Sequence, residues 1–308
     1  MRISGLNGGI LSRVESKVFR SFGRFMPAKW VIDHQYLRST GLKVEWEYPR
    51  TFNDKIQYLK LFWRDPRLTI CSDKYLVRDY VKERISEDYL NELISVHETP
   101  EDIDFDKLPA SFFLKLNHGS GFNIPCRDKS LLDRGGTVAK LKKWQAANYY
   151  YEGREWAYKD IRPLVLCERY IDPNEGVVPE DYKIYCFEGV PRIIEVHSGR
   201  FVDHRCDYYD LDWRLLKFRT TAPGSENASP PPRRLEEMLR VAARLAEGLV
   251  FVRVDLYAPA DRVIFGEMTF YPHNGMMRFH PEQANRDLGD MLNLTSFGIQ
   301  ANDRLKRT

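Results

Sequence analysis

Arg253-Val254-Asp255-Leu256-Tyr257, followed after the turn Ala258-Pro259-Ala260-Asp261 by Phe265-Gly266-Glu267-Met268-Thr269, is the stretch that decides the fold. Side chains alternate between faces along a strand, so Arg253, Asp255 and Tyr257 share one side, as do Phe265, Glu267 and Thr269. Pairing the two strands as a hairpin brings Asp255 and Glu267 together. Two facing carboxylates repel unless a cation lies between them, and hard oxygen ligands favour Mg²⁺ or Mn²⁺. Arg253 beside them is placed to neutralise a transferring phosphoryl group. The competing reading is a solvated strand face on which Arg253 pairs with Asp255 or Glu267. The apolar neighbours Phe251, Val252, Val254, Leu256, Ile264 and Phe265 argue against a merely superficial ion pair.

Upstream, Leu235, Met238, Leu239, Ala242, Leu245, Ala246 and Leu249 recur at three- and four-residue intervals, which predicts an amphipathic helix packing on a sheet. Before it, Thr220 to Arg234 holds Ala-Pro-Gly-Ser and Pro230-Pro231-Pro232 and reads as an exposed connection. Short apolar runs from Phe112 to Leu116, Asn123 to Cys126, Leu164 to Ile171, Tyr182 to Phe187 and Pro191 to Val196 predict strands of a mostly antiparallel sheet. A helix over about Leu131 to Tyr149 interrupts them. Lys115 sits in an apolar strand that runs at once into His118-Gly119-Ser120-Gly121-Phe122, a fixed cation followed by flexible backbone amides that suits a phosphate chain. It does not match G-x-x-x-x-G-K-[ST] and is not a Walker A loop.

Toward the N-terminus, Ser72 or Asp73 is suited to cap a helix running to about Ile85, which places Lys74 near a helix start. Residues 1 to about 70 read as an N-terminal helical cap with aromatic anchors such as Trp30, Tyr36, Trp46, Tyr58, Phe62 and Trp63. From Leu11 to Phe25, Arg13, Lys17, Arg20 and Arg24 alternate with apolar residues as in a basic amphipathic helix. Such a helix either packs on the body or forms a peripheral foot on an anionic membrane.

The chain has 308 residues, 43% hydrophobic and 30% charged, enough for two or three subdomains with a full core. Its 47 basic against 44 acidic residues leave +3, too balanced for a dedicated nucleic-acid binder. Cys71, Cys126, Cys167, Cys186 and Cys206 are widely spaced and read as reduced core residues. Asn227-Ala-Ser229 and Asn293-Leu-Thr295 fit a glycosylation triplet and are taken as chance matches. No apolar run suits a signal peptide or a spanning helix, so the expectation is a cytoplasmic protein, with residues 11–25 as a candidate contact to the inner membrane face.

The order of these pieces resembles the ATP-grasp superfamily and, more closely, the TupA-like ATP-grasp family of teichuronopeptide and other bacterial surface-polymer pathways. The matching wording is Pro49-Arg50-Thr51-Phe52-Asn53-Asp54-Lys55-Ile56, Ser72-Asp73-Lys74-Tyr75, Leu114-Lys115-Leu116-Asn117-His118-Gly119-Ser120-Gly121, Asp181-Tyr182-Lys183, Arg253-Val254-Asp255-Leu256-Tyr257 and Gly266-Glu267-Met268-Thr269-Phe270. It spans about Pro49 to Leu294.

The resemblance implies an α+β ATP-grasp fold, two lobes with mostly antiparallel sheets clasping ATP behind an N-terminal helical segment. The ATP-grasp domain would run over 71–294, with the small lobe at about 110–166, the large lobe at about 167–294 and a C-terminal tail at 295–308. It implies that Lys74 and Lys115 hold ATP phosphates and that the loop from His118 through Gly119, Ser120 and Gly121 closes over them. The connector Cys167 to Ile171, with Glu168, Tyr170 and Ile171, would receive adenine. Asp181 would lie near ribose and Lys183 near the γ-phosphate. Asp255, Glu267 and Thr269 would hold Mg²⁺ or Mn²⁺, with Arg253 stabilising the transferred phosphoryl group. The superfamily usually has Asn where this chain has Thr269. A hydroxyl is a poorer metal ligand than an amide oxygen, and Asn274 is the candidate to compensate.

The implied activity is an ATP-dependent carboxylate-amine ligase that activates an acceptor carboxylate as an acylphosphate and joins it to an amine or amino acid, with a glycan among the candidate acceptors. His197, Arg200, His204, Arg205, His273, Asn274, Arg278 and His280 are candidate acceptor-side groups. One alternative is a glycan kinase on the same fold. Another is a metal-dependent glycosyltransferase using Asp210-Leu211-Asp212, flanked by Tyr208, Tyr209 and Trp213, although Asp102-Ile103-Asp104 matches the same triplet.

Overall fold

The computed structural model describes residues 25–171, 181–199, 204–220, 222–225, 227–259, 262–295 and 298. Most of the basic segment 11–25 and Arg200 lie outside the described residues.

Among the described residues four helices come first: α1 (Ala28–Thr40), α2 (Phe52–Phe62), α3 (Pro66–Ser72) and α4 (Val77–Arg84). Thr51 and Asp65 cap α2 and α3 by accepting from the amides of Asp54 and Arg67. The helix expected over 72–85 is split. Asp73 accepts from the amides of Tyr75 and Leu76, turning the chain between α3 and α4 with Lys74 at the corner. Ser72 makes no such bond and its hydroxyl is buried.

Next come β1 (Leu93–His97), β2 (Phe112–Leu116), β3 (Asn123–Cys126), α5 (Arg134–Gln145), α6 (Tyr150–Gly153) and β4 (Val165–Arg169). The strands form an antiparallel sheet in the order β1-β4-β2-β3. It therefore draws on Leu93–Arg169, wider than the 110–166 span set by the sequence. Leu93-Ile94-Ser95-Val96-His97 is a half-buried edge strand whose five residues carry too little pattern to stand out. The helix expected over 131–149 is shorter, because Asp133 caps it at one end and the chain turns at Ala146. This sheet and α5 enclose their own core of Phe112, Leu114, Leu116, Leu141, Val165 and Cys167.

The second sheet comprises β5 (Asp181–Phe187), β6 (Val190–Ser198), β7 (Arg205–Tyr209), β8 (Phe251–Tyr257) and β9 (Ile264–Thr269), in the antiparallel order β7-β6-β5-β8-β9. One face is covered by α7 (Leu235–Ala246), which buries Met238, Ala242, Leu245 and Ala246 as its spacing predicts, buries Val241 as well, and leaves Leu235 and Leu239 half-buried. Each fully buried large side chain of this kind contributes roughly 1.5–3 kcal/mol. The other face is covered at one end by α2, where Phe52 meets Tyr185, Phe187 and Phe251. The N-terminal helices thus share the core of the large sheet. The last helix among the described residues, α8 (Gln283–Asp290), packs on α2. All five cysteines are buried and none is in a disulfide. Among the described residues no helix is long and apolar enough to cross a membrane.

Candidate active site

The hairpin expected from sequence forms, and its register sets Asp255 opposite Glu267 and Arg253 opposite Thr269. On the other side of β8, Lys183 lies opposite Asp255 and Tyr185 opposite Arg253; one strand further, Glu195 lies opposite Lys183. Because the register is shared, one line of side chains crosses the sheet as Glu195, Lys183, Asp255, Glu267. The charges alternate until the last pair.

Lys183 Nζ is 2.6 Å from Asp255 Oδ2 and 2.7 Å from Asp181 Oδ2. Arg253 donates to both Asp255 oxygens, at 2.7 Å from Nε and 2.8 Å from a terminal nitrogen. The Thr269 hydroxyl accepts from Arg253 at 3.3 Å and donates to Glu267 Oε1 at 3.3 Å. Burial works against the charge on Lys183 and Arg253, yet Asp255 holds both above their ordinary values. Burial raises the Asp255 carboxyl, in competition with Arg253 and Lys183. Glu267 behaves oppositely: burial opposes its charge, but Lys74, Lys183 and Arg253 hold its carboxyl down at about 2. Glu267 is therefore ionised at any ordinary pH, and a metal there competes with ammonium and guanidinium groups rather than with protons.

The second cluster comes from the small sheet and the α3–α4 corner. Lys115 on β2 pairs with Glu168 on β4 at 2.8 Å, and Arg78 of α4 approaches the same carboxylate at 3.5 Å. Lys74 donates to the Gly119 carbonyl at 2.6 Å and stands 3.7 Å from Glu267, linking the glycine loop to the large sheet. Burial pulls the Lys74 ammonium down, aided by Lys115. Lys74, Arg78, Asn91, Lys115, Glu168 and Gly266 line a cavity of about 20 Å³ between the lobes.

Loop positions 118–122 divide into an anchor and a tip. His118 is buried, its Nε2 is 3.0 Å from the Ala147 carbonyl, and burial lowers its pKa. Ser120 and Gly121 form the exposed tip, where Gly121 takes a φ of 77° that side chains disfavour. A Cβ on Gly119 would meet Phe122 at 2.7 Å. Beyond Glu168, Tyr170 accepts from Arg127 at 2.8 Å, and Ile171 is half-buried.

Asn117 ties these parts together. Its Oδ1 accepts from the Leu164 amide at 2.7 Å, its Nδ2 donates to Asp73 Oδ1 and the Arg162 carbonyl, and its own carbonyl accepts from the Lys74 amide. It is fully buried. Asn117→Ala leaves several of these groups unpaired, at about 1–3 kcal/mol each. We expect a loss of about 3 kcal/mol in urea unfolding; a loss below about 1 kcal/mol would show that the knot does not hold the Lys74 corner.

The candidate acceptor groups separate. His197 and His273 face Glu195 and His204 meets the far nitrogen of His197, whereas Arg205 donates to the Gly224 carbonyl and Arg278 to the Ser39 carbonyl. The His280 backbone pairs with that of Arg219. Asn274 does not stand in for the missing amide ligand, because its side-chain and backbone oxygens both accept from Lys60 Nζ. The triplet at Asp210 is a turn: Asp210 Oδ1 accepts from the amides of Asp212 and Arg214, and Trp213 stacks on Tyr209 at 4.3 Å. Three contributors were not singled out from sequence. Arg78 was readable from its spacing one helical turn after Lys74 and Glu195 from the turn Glu188-Gly189, whereas Asn91 shows its place only once the strands are paired.

Two antiparallel lobes that close on a shared seam of lysines and carboxylates define an ATP-grasp protein. The chain belongs to the TupA-like ATP-grasp family, whose model matches residues 54–293. Similar solved structures include D-alanine–D-alanine ligase from Bacillus anthracis complexed with ATP, at 17% identity over 76% of this chain and 69% of that one, with a TM-score of 0.44. They also include the ATP-grasp ligase PsnB complexed with its minimal precursor (13% identity, 67% and 54% covered, TM-score 0.36) and D-alanine–D-alanine ligase from Helicobacter pylori (17%, 67% and 56%, 0.36). No curated protein matches the chain.

Proposed function

We propose that the chain uses ATP and a divalent cation to phosphorylate an acceptor carboxylate, which an amine or amino acid then attacks to form an amide, in the assembly of a bacterial surface polysaccharide or teichuronopeptide-type polymer. The observation that carries this reading is the register that sets Lys183, Asp255 and Glu267 in one line with Arg253 beside them. The polymer context comes from the family alone.

Asp255, Glu267 and the Thr269 hydroxyl offer only hard oxygen donors, and Glu267 is the most exposed of the charged groups in the line. That set fits Mg²⁺, which takes one or two carboxylates and completes its shell from phosphates and water. Bound there, the cation supplies charge neutralisation for the phosphate chain.

The side chains divide the remaining work. Lys74 and Lys115 hold phosphates, Gly119 to Gly121 cover them with backbone amides, and Asp181 with the Glu168–Ile171 connector receives the nucleoside. Lys183 and Arg253 stabilise the γ-phosphoryl group as it passes from ATP to the acceptor oxygen. Lys115 exchanges its Glu168 partner for phosphate as ATP enters between the lobes. Closure then excludes the water that would hydrolyse the acylphosphate.

Calorimetric titration with a non-hydrolysable ATP analogue tests the nucleotide site. Binding should depend on Mg²⁺ and weaken by about 10-fold or more in Lys115→Ala. Binding of UDP or a UDP-sugar with Mn²⁺ and none of the adenine nucleotide would overturn the proposal. Screening carboxylates and amines for ADP release then separates ligase from kinase, since only a ligase requires the amine for full turnover.

A further inference from the structure

A second group of ligand-type side chains lies on the far side of Lys183 from Asp255. Glu195 and His197 sit two apart on β6, on one face, and Cys206 on β7 lies directly opposite His197. Their ligand atoms all fall within 4.8 Å of one another. Glu195 Oε1 is 2.6 Å from His197 Nε2 and 3.6 Å from Cys206 Sγ, and Cys206 Sγ is 4.0 Å from His197 Nε2. From the loop after β9, His273 Nε2 reaches within 3.7 Å of the same Glu195 oxygen.

Two plainer accounts fit less well. In a nucleophile relay, acid and thiol would occupy opposite nitrogens of the imidazole. Here both face Nε2, while Nδ1 meets His204 Nε2 at 2.8 Å. A buried ion pair accounts for Glu195 with His197, but not for the Cys206 thiol beside both of them or for His273 approaching the same carboxylate oxygen.

Donors around a tetrahedral zinc ion, with bonds of about 2.0–2.3 Å, stand about 3.3–3.6 Å apart. The separations among Glu195, His197 and Cys206 bracket that range, so shifts of about 0.7 Å or less complete the geometry. The outer atoms are already held, Glu195 Oε2 by the Tyr185 hydroxyl at 2.6 Å and His197 Nδ1 by His204, as in the second shells that orient metal ligands. A thiolate with imidazoles selects a zinc-class ion and disfavours Mg²⁺.

We infer that Glu195, His197, Cys206 and His273 form a binding site for a zinc-class divalent cation, separate from the hard-oxygen site at Asp255 and Glu267. Glu195 and Asp255 flank Lys183 on neighbouring strands, about 10 Å apart across the sheet, and each site extends away from Lys183 toward its own edge of the sheet. Three ligands come from rigid strands. The fourth, His273, has a side chain 47% exposed and gives the ion its way in from solvent, at a position an acceptor group can take over.

The test uses the whole protein, stripped with chelator and titrated with Zn²⁺ and then Co²⁺. One equivalent of Zn²⁺ should bind per chain. The Co²⁺ form should show a thiolate-to-cobalt charge-transfer band in the near ultraviolet that disappears in Cys206→Ser. His197→Ala should weaken Zn²⁺ by about 100-fold or more. Glu267→Gln should leave the zinc stoichiometry unchanged, which separates this site from the nucleotide site whatever becomes of ATP binding. Failure of the natively folded protein, checked by circular dichroism, to bind stoichiometric zinc would overturn the inference. So would a cobalt spectrum indifferent to Cys206→Ser.

Discussion

Glu267→Gln should lower turnover by about 10²–10³-fold while leaving the thermal midpoint nearly unchanged. The stability half of this expectation follows from geometry. Glu267 stands 3.7 Å from Lys74 and 3.8 Å from Arg253, at the more exposed edge of the site, and partly solvated contacts of that kind contribute about 1 kcal/mol or less. Asp255 is different. It is the counter-ion of both Lys183 and Arg253 and is buried, so Asp255→Asn strips two buried cations of their shared partner at about 3–5 kcal/mol. Inactivity of that variant would not separate lost chemistry from lost fold. ADP release by Glu267→Gln is the measurement to make, and activity within about 10-fold of the natural chain would remove this carboxylate from the metal site.

A second large effect on stability is expected outside the site. Lys60 on α2 is buried, donating to Gln57 Oε1 at 2.9 Å and to the Asn274 carbonyl at 2.6 Å, with the buried carboxyl of Glu155 close enough to act on its charge. Burial pulls the Lys60 ammonium down to about 7 and pushes the Glu155 carboxyl up to about 7, each partly restored by the other. Lys60→Met keeps the alkyl stem but leaves Asn274 Oδ1 without its Lys60 donor and the buried Glu155 carboxyl without its neighbouring cation, and should cost about 3 kcal/mol. The deficit also has a pH signature. Without Lys60, Glu155 retains a folded pKa well above its unfolded value of 4.5, so the native state holds the extra proton. Stability is then kept below that value and lost as pH rises through the folded pKa. Urea midpoints should therefore fall further behind the natural chain at pH 8 than at pH 5.5, and adding Glu155→Gln should restore part of the loss. A pH-independent deficit would mean that the hydrogen bonds to Asn274, and not the Glu155 charge, dominate.

Strand alternation makes the phosphate end of the site legible in the sequence alone. Arg253, Asp255, Glu267 and Thr269 lie in one hairpin, so a short stretch fixes which groups meet, whereas Lys183 is placed beside them by the family resemblance and joins them through the pairing of β5 with β8. Glu195 was missed although a signal existed: the two-residue turn Glu188-Gly189, both at positive φ, joins β5 to β6 as a tight hairpin and sets Glu195 opposite Lys183. Asn274 was misjudged for a different reason: its partner Lys60 comes from a distant helix. The overlong helix at 131–149 reflects a polar pattern compatible with helix beyond the point where the chain turns at Ala146. Arg78 is the instructive omission, since its spacing from Lys74 was visible and only its partner Glu168 was not.

The single row crossing the large sheet also bears on how such a chain can change length over time. Four strands contribute to the line from Glu195 to Glu267, and each presents its charged residue to the cleft only because the residues before it are counted correctly. Adding or deleting one residue within β5 would turn Asp181 and Lys183 into the oily layer beneath α7 and lift Tyr182 and Ile184 into the cleft. Substitution can tune this site gradually, but length variation within its strands cannot. Relatives should therefore differ in length between strands, at places such as the proline-rich connection before α7, and keep the spacing from Asp181 to Lys183 and from Arg253 to Asp255 unaltered.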